Sequence, residues 1–282
     1  MDLWISILLF ATISVVGAAY ALRARSTGRL RSARLDEVGA SAFLGPGPRE
    51  AFYWAIGPAA RLLVRMRATP DAVTLGALGV GMLAAIAIVT GHDGVGAALL
   101  AASCAGDALD GRVARERGVA CAAGEVVDAV ADRYQEMLVL GALVLRFRHD
   151  VATLSLAVAA LCGAVMVSYV TAKAEAMGLD PPRGTLRRAE RATWLTVGVA
   201  LVPITSALVA ARGAPAWLVT PLSQAPLLLV LSAFAVIGNA SSIVRAGELA
   251  SRLRAPARAP LRDPRLVETC GEASPSIARV ES

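Results

Sequence analysis

Long apolar stretches alternate with short polar ones along most of the chain. Seven of them are long enough to cross, or nearly cross, a hydrocarbon layer about 30 Å thick. They run over residues 3–22, 72–90, 95–114, 126–145, 151–172, 193–211 and 217–244. The third and fourth contain aspartates and are weak on hydropathy alone, but polar residues inside a span are usually functional, so both are kept. The pattern predicts an all-α, polytopic membrane protein with a six-helix core and one additional N-terminal helix.

The same pattern divides the chain into four segments. Residues 1–22 form the additional transmembrane helix, expected to be retained because it lacks a basic leading segment and a clear cleavage site. Residues 23–69 form a basic cytoplasmic linker, in which interleaved apolar and arginine residues predict a helix lying in the membrane interface, interrupted near Gly57-Pro58. Residues 70–248 form the six-helix membrane domain. Residues 249–282, rich in Pro, Arg, Ala and Ser, are predicted to be a disordered cytoplasmic tail.

Composition and the distribution of charge predict how the chain is oriented in the membrane. The chain is 56% hydrophobic with a mean hydropathy of +0.60 and a net charge of +6. Its basic residues, all arginine except Lys173, are concentrated in residues 23–67 and 173–191 and from residue 245 onward, whereas residues 92–95 carry none. The positive-inside rule places the basic segments in the cytoplasm, the N-terminus outside and the C-terminus inside the cell membrane. Topology accounts for the basic residues, so no nucleic-acid partner is predicted.

Four aspartates interrupt the apolar pattern: Asp107, Asp110, Asp128 and Asp132. Spacings of three and four residues put each pair on one face of its helix, so two helices can bring all four carboxylates together. A single carboxylate near the bilayer centre costs roughly 2.5 to 3.5 kcal/mol, so a cation must offset them. Clustered carboxylates without His or Cys suit Mg²⁺, Mn²⁺ or Ca²⁺, and two such ions would balance four charges. The alternative is that the aspartates cap helices or line a solvated loop.

The residues around the aspartates follow the pattern D-x2-D-G-x2-A-R-x8-G-x3-D-x3-D at all eight fixed positions. This pattern is the signature of the CDP-alcohol phosphotransferase family, which the chain resembles. Such enzymes transfer the substituted phosphate of a CDP-alcohol, often CDP-diacylglycerol, to an acceptor hydroxyl and release CMP. The resemblance implies that residues 70–248 are the catalytic domain of a phospholipid-synthesising enzyme with a two-metal site, holding Mg²⁺ or Mn²⁺, toward the cytoplasm. It also implies a homodimer, which no feature of the sequence requires.

The resemblance also implies roles for single residues. Asp107, Asp110 and Asp128 resemble the family's metal ligands, and Asp132 resembles the general base beside the metals and is counted with the metal-binding carboxylates. Small residues would let the cytidine nucleotide approach the backbone. The implied nucleotide-binding residues are Gly111, Ala114, Arg115, Gly124 and, at the start of the first core helix, Thr74. Asp71 stands where the family often has asparagine.

A second stretch concerns the acceptor. Residues 168–175, Ser-Tyr-Val-Thr-Ala-Lys-Ala-Glu, resemble those of bacterial phosphatidylinositol phosphate synthases within the family. By that resemblance Arg133, Lys173 and Arg191 would line a pocket for the phosphate of an acceptor such as inositol phosphate or glycerol phosphate. Those enzymes tend to continue with Glu-Arg-x-x-Arg, and Trp194 here takes the place of the second arginine.

Two other functions fit an aspartate cluster in a membrane. A membrane prenyltransferase binds a diphosphate through Mg²⁺, but its aspartate motifs lie on more distant helices and leave Gly111, Ala114, Arg115 and Gly124 unexplained. A non-catalytic membrane protein or cation transporter would use the carboxylates as an ion path. Release of CMP, release of pyrophosphate and metal flux distinguish the three.

Overall fold

The computed structural model describes residues 1–28, 46–180 and 186–254. These residues are helical with short connections, and no strand occurs among them, so the predicted all-α class is confirmed. A π-helical segment, Phe234–Gly238, joins the last two α-helices. The α-helices are α1 (Asp2–Thr27), α2 (Pro46–Arg65), α3 (Pro70–Val89), α4 (Asp93–Glu116), α5 (Ala122–Arg146), α6 (Val151–Ala176), α7 (Arg188–Ala211), α8 (Ala216–Ala233) and α9 (Asn239–Arg254).

Six of the seven predicted spans each correspond to one helix, and the seventh corresponds to α8, the π-helical segment and the start of α9. Among the described residues five helices are long and apolar enough to cross a membrane: α1, α3, α6, α7 and the continuous run from α8 through α9. Helices α4 and α5 fall short because they carry the aspartates and other charged side chains. They nevertheless pack inside the bundle, α3 against both and α7 against α4. The chain is therefore a multi-pass membrane protein.

Two predicted boundaries differ from the structure. Helix α2 continues through Gly57 and Pro58 instead of breaking there. A proline inside a helix removes one backbone hydrogen bond, and here Arg112 of α4 reaches the same turn, where its Nη1 donates to the Tyr53 carbonyl at 3.0 Å. At the other end, α9 extends to Arg254, six residues into the predicted disordered tail. The rest of that tail, and the linker between 29 and 45, lie outside the described residues.

Close helix packing depends on small residues. A Cβ built on Gly81 of α3 would lie 3.0 Å from Ser103 Oγ of α4. That hydroxyl donates a buried hydrogen bond of 2.6 Å to the Ala77 carbonyl, and a Cβ on Gly106 would lie 2.8 Å from Ala77 Cβ. Small residues at such crossings let backbones approach closely in lipid. The close α3–α4 crossing fixes the height of α4 and therefore of its aspartates.

The additional helix α1 is attached to the core at its start and to α2 near its end. At its start, Asp2 Oδ1 accepts from the Val95 backbone N–H at 3.2 Å, at the beginning of α4. Near its end, the buried Tyr20 hydroxyl donates to Glu50 Oε2 of α2 at 2.6 Å. Because α4 rises about 1.5 Å per residue, the start of α1 lies roughly 20 Å along the bundle from Asp110. Helix α1 thus begins at the end of the bundle opposite the aspartates.

Candidate active site

Three aspartates converge where the second half of α4 faces the first half of α5. Asp107, Asp110 and Asp128 each offer a carboxylate oxygen, and these oxygens lie within 4.8 Å of one another. Oxygen ligands at this mutual spacing can surround one hard divalent ion such as Mg²⁺ or Mn²⁺. The residues present therefore fit the predicted metal. The spacing predicted that all four aspartates converge; three of them, contributed by the two helices together, lie within this distance, and Asp132 is not among them.

Asp110 is the most deeply buried of the three, with 3% of its surface exposed. Its Oδ2 accepts from the Thr74 hydroxyl of α3 at 2.6 Å, and its Oδ1 accepts from the backbone N–H of Gly111 at 2.5 Å. These two donors fix the orientation of the carboxylate. Thr74 was predicted to contact the nucleotide; the structure places it behind a candidate metal ligand, and its nucleotide contact stays a prediction.

Asp132 lies one helical turn beyond Asp128 and is joined to the cluster by an arginine. The Arg188 guanidinium, at the start of α7, donates to both oxygens of Asp107 at 2.8 and 3.0 Å and forms an ion pair with Asp132. Arg188 was given no role from the sequence. The available signal was its position three residues before Arg191, on the same helical face.

The predicted nucleotide-binding residues of α4 and α5 lie within five residues of a candidate metal ligand along the chain. Gly111, Ala114 and Gly124 are half-buried and Arg115 is exposed. Among the described residues, a Cβ built on Gly124 would meet Cys121 Sγ alone, at 4.0 Å. Glycine inside a helix costs about 1 kcal/mol relative to alanine, and packing does not require it here. No described residue fills the space beside Gly124, so a ligand could approach the backbone there.

The residues predicted to bind the acceptor differ in their exposure. Arg133 is half-buried and Lys173 is exposed, whereas Arg191 is only 1% exposed. Arg191 donates to both oxygens of Glu136 at 2.5 and 2.8 Å, to Ser168 Oγ at 2.9 Å and to the Leu186 carbonyl at 2.7 Å. In this conformation its guanidinium ties α7 to α5 and α6 and is not open to a phosphate. Its direct contact with the acceptor stays a prediction.

The charges in the cluster do not balance. Asp107 and Asp132 share the Arg188 guanidinium, while Asp110 and Asp128 add two more carboxylates close by. These four carboxylates and the Arg188 guanidinium, counted by themselves and ionised, carry more negative than positive charge. Such an excess at membrane depth is costly unless a cation binds. The arrangement can therefore hold a divalent metal next to a further carboxylate, Asp132, that could accept a proton.

Comparison with known proteins identifies this arrangement. The sequence model of the CDP-alcohol phosphatidyltransferase family matches residues 67–237. The phosphatidylinositol phosphate synthase of Cutibacterium acnes is 32% identical over 202 residues, covering 69% of this chain and 96% of that protein. The enzyme of the same name from Mycobacteroides abscessus is 36% identical over 147 residues, covering 51% of this chain and 67% of that protein.

Solved structures agree with the sequence comparison. Mycobacterium tuberculosis phosphatidylinositol phosphate synthase with CDP-DAG bound has a TM-score of 0.57 and 26% identity, over 68% of this chain and 92% of that one. The same enzyme in complex with manganese and citrate has a TM-score of 0.59 and 26% identity, over 69% of this chain and 88% of that one. These matches favour the predicted enzyme class over a prenyltransferase or a non-catalytic transporter. The family match covers more than half of the chain and includes the whole aspartate signature, so the chain belongs to the CDP-alcohol phosphatidyltransferase family and is a membrane transferase of phospholipid biosynthesis.

Proposed function

We propose that the protein is a phosphatidylinositol phosphate synthase. It transfers the phosphatidyl group of CDP-diacylglycerol to a hydroxyl of inositol phosphate and releases CMP. The observation that carries this proposal is the 32% identity to the Cutibacterium acnes enzyme of that name over 96% of its length. The resemblance of residues 168–175 to this group of enzymes and the CDP-DAG-bound neighbour support it.

The metal centre is assigned to the converging carboxylates. Asp107, Asp110 and Asp128 would hold the ion, with Asp132 at its edge and Thr74 orienting Asp110. The manganese-bound neighbour supports a divalent ion, Mg²⁺ or Mn²⁺, and the charge excess favours two ions over one. Bound divalent ions supply stabilisation of the negative charge that develops on the attacking and departing oxygens of a phosphoryl displacement.

The chain's own residues then carry out the proton and nucleotide steps. Asp132 accepts the proton of the acceptor hydroxyl, whose oxygen forms a bond to the β-phosphorus of CDP-diacylglycerol. The bond from that phosphorus to the bridging oxygen breaks, and CMP leaves with the electron pair. Asp132 afterwards releases its proton to solvent. The backbone beside Gly111 and Gly124 would receive the cytidine nucleotide, with Arg115 near its phosphates.

A pocket for the acceptor phosphate needs positively charged side chains, and Arg188 is one that was not predicted from the sequence. The Arg-x-x-Arg spacing fits Arg188 and Arg191 if Arg187 takes the place of the motif's glutamate, instead of Arg191 and Trp194. The contacts of Arg188 with Asp107 and Asp132 support this placement, because they bring a guanidinium next to the proposed base. Arg133 and Lys173 would add further positive charge, and Arg191 would hold the α7 turn that presents Arg188.

Orientation and assembly complete the proposal. The aspartates lie at the end of the bundle opposite Asp2, so an outside N-terminus puts the active site at the cytoplasmic face of the cell membrane. The basic segments favour the same orientation. There the site meets soluble inositol phosphate, and the lipid substrate and product enter and leave through the bilayer. The homodimer implied by the family resemblance stays a prediction.

The test is CMP release by the purified protein in detergent with CDP-diacylglycerol and either Mg²⁺ or Mn²⁺. Inositol phosphate, glycerol phosphate, inositol and serine are offered separately. The lipid product is identified from its mass by mass spectrometry. We expect CMP only with inositol phosphate, and none from the Asp132→Asn variant. CMP release with glycerol phosphate alone would keep the reaction class and replace the acceptor. If the protein binds Mn²⁺ but releases no CMP with any of the four acceptors, the proposal is contradicted.

A further inference from the structure

Asp107 takes part in two arrangements, each of which brings a cation to the same carboxylate. One of its oxygens belongs to the trio that can surround a divalent ion with Asp110 and Asp128. Both of its oxygens also accept hydrogen bonds from the Arg188 fork, at 2.8 and 3.0 Å. A bidentate guanidinium takes up one lone pair on each carboxylate oxygen, and each oxygen has two. A divalent ion at an Asp107 oxygen would nevertheless lie close to the Arg188 guanidinium, and repulsion between the two cations makes the ion compete with the arginine for this carboxylate.

The surroundings of Arg188 allow its side chain to move away from Asp107 while the backbone of the site stays folded. Its side chain is 28% exposed, so solvent or a ligand can reach it. The backbone at the start of α7 is held independently, because Glu190 Oε2 accepts from the Arg187 backbone N–H at 2.9 Å and Arg191 is anchored to Glu136. A rotation of the Arg188 side chain is enough to break the contact with Asp107.

We propose that Arg188 is a displaceable counter-ion of the metal site. Without metal its guanidinium bridges Asp107 and Asp132 and offsets part of the four-carboxylate charge. Divalent metal at Asp107 displaces it, and the freed guanidinium then faces the place where an anionic substrate phosphate would sit. The last step, in which the phosphate belongs to the acceptor, rests on the proposed function, whereas the competition with metal does not. The inference makes metal loading a precondition for recognition of the acceptor phosphate.

The first experiment measures Mn²⁺ affinity in detergent from the electron paramagnetic resonance signal of free Mn²⁺, with neither substrate present. Arg188→Gln removes the competing charge, so we expect Mn²⁺ to bind on the order of tenfold more tightly than to the wild type. Arg252→Gln is the matched control, since Arg252 is also ion-paired with a carboxylate, Glu248, but away from the aspartates. We expect no change there. Unchanged or weaker Mn²⁺ binding by Arg188→Gln would overturn the proposal.

The second experiment follows Arg188 in the wild-type protein, so it does not depend on any variant folding. Phenylglyoxal labels accessible guanidinium groups, and peptide mass spectrometry reports the extent at each arginine. We expect labelling of Arg188 to rise when Mn²⁺ is added, while labelling of Arg252 stays constant. Constant or reduced labelling of Arg188 would show that metal binding does not release it.

A third measurement addresses the acceptor step. Binding of inositol phosphate to the wild type is measured by calorimetry with Mn²⁺ and again in EDTA. We expect detectable binding only with Mn²⁺, and its loss in Arg188→Gln. Equal binding in EDTA would overturn the coupling. Because none of the three measurements uses CMP release, failure of the proposed reaction and failure of this inference can be told apart.

Discussion

The two ends of α4 carry the same kinds of side chain in different proportions. At the end near Asp2, the buried Asp93 pairs with Arg146 of α5, whose Nη2 donates to it at 2.9 Å and whose Nη1 also donates to the Ile88 carbonyl at 3.2 Å. At the other end, Arg188 is shared by Asp107 and Asp132, with two further aspartates beside them. Asp93 thus accepts from both Nη nitrogens of one arginine, whereas Asp107 and Asp132 share one arginine.

This difference separates a structural ion pair from a functional one. A buried pair with matched charges satisfies its own members and needs nothing from outside, and breaking it leaves one charge unpaired. A cluster with excess carboxylates keeps a negative potential that attracts cations. Removing a carboxylate from the matched pair should lower the stability of the fold and leave the catalytic rate unchanged. Removing one from the cluster with excess carboxylates should lower the catalytic rate and leave stability nearly unchanged. Removing one carboxylate at each end tests this.

At the metal end, Asp132→Asn should have the largest effect on turnover. It keeps the shape of the side chain and removes the proposed proton acceptor, which is worth about 10²- to 10⁴-fold in rate. Stability should hardly change, because Arg188 keeps both hydrogen bonds to Asp107. The measurements are CMP release and the midpoint of thermal unfolding in the same detergent. Near-normal turnover would show that Asp132 is not the base.

At the opposite end, Asp93→Asn should act on stability. It leaves Arg146 charged with a neutral partner, and breaking a buried ion pair costs about 3–5 kcal/mol. CMP release per folded molecule, measured well below the unfolding midpoint, should stay near the wild-type value. Thermal and denaturant unfolding check the first expectation.

The matched control for Asp93→Asn is Asp150→Asn, at the start of α6. Asp150 is fully exposed, and its pKa lies below the usual value because it accepts hydrogen bonds from the Thr153 backbone N–H and hydroxyl. Asparagine can cap a helix equally well, so the midpoint should barely move. If both variants unfold at the same midpoint, the buried pair with Arg146 contributes nothing measurable.

Metal removal sharpens the comparison further. A ligand at 100 times its dissociation constant stabilises the folded state by about 2.7 kcal/mol, so saturating Mn²⁺ should raise the unfolding midpoint of the wild type and EDTA should lower it again. Asp93→Asn should show the same rise from a lower starting point. Asp110→Asn, which removes a buried candidate ligand, should show none. A full Mn²⁺ shift in Asp110→Asn would place the metal elsewhere.

The helices and the clustering of the aspartates could be predicted from the sequence. Hydropathy predicted the spans because a membrane helix satisfies its backbone hydrogen bonds locally, and the spacing of the aspartates predicted their convergence. The partners of the arginines were not accessible. Arg188 and Asp107 are 81 residues apart, and an arginine in a cytoplasmic segment is expected from topology alone, whatever it contacts. The continuity of α2 through Pro58 was also missed, because proline inside a helix is disfavoured by local propensity.

The smallest expected effects come from two helical glycines with opposite surroundings. Gly124→Ala adds a Cβ into open space beside the aspartates, so stability should rise by up to about 1 kcal/mol from helix propensity. If that space receives the nucleotide, KM for CDP-diacylglycerol should rise as well. Gly163→Ala is the opposite case, because its Cβ would lie 2.7 Å from the Phe234 carbonyl oxygen at the crossing of α6 with the π-helical segment. That variant should unfold more easily and keep the wild-type KM. A stabilised Gly124→Ala enzyme with unchanged KM would mean that the glycine is not part of the nucleotide site, and the binding role would then move to the remaining signature residues around Gly111.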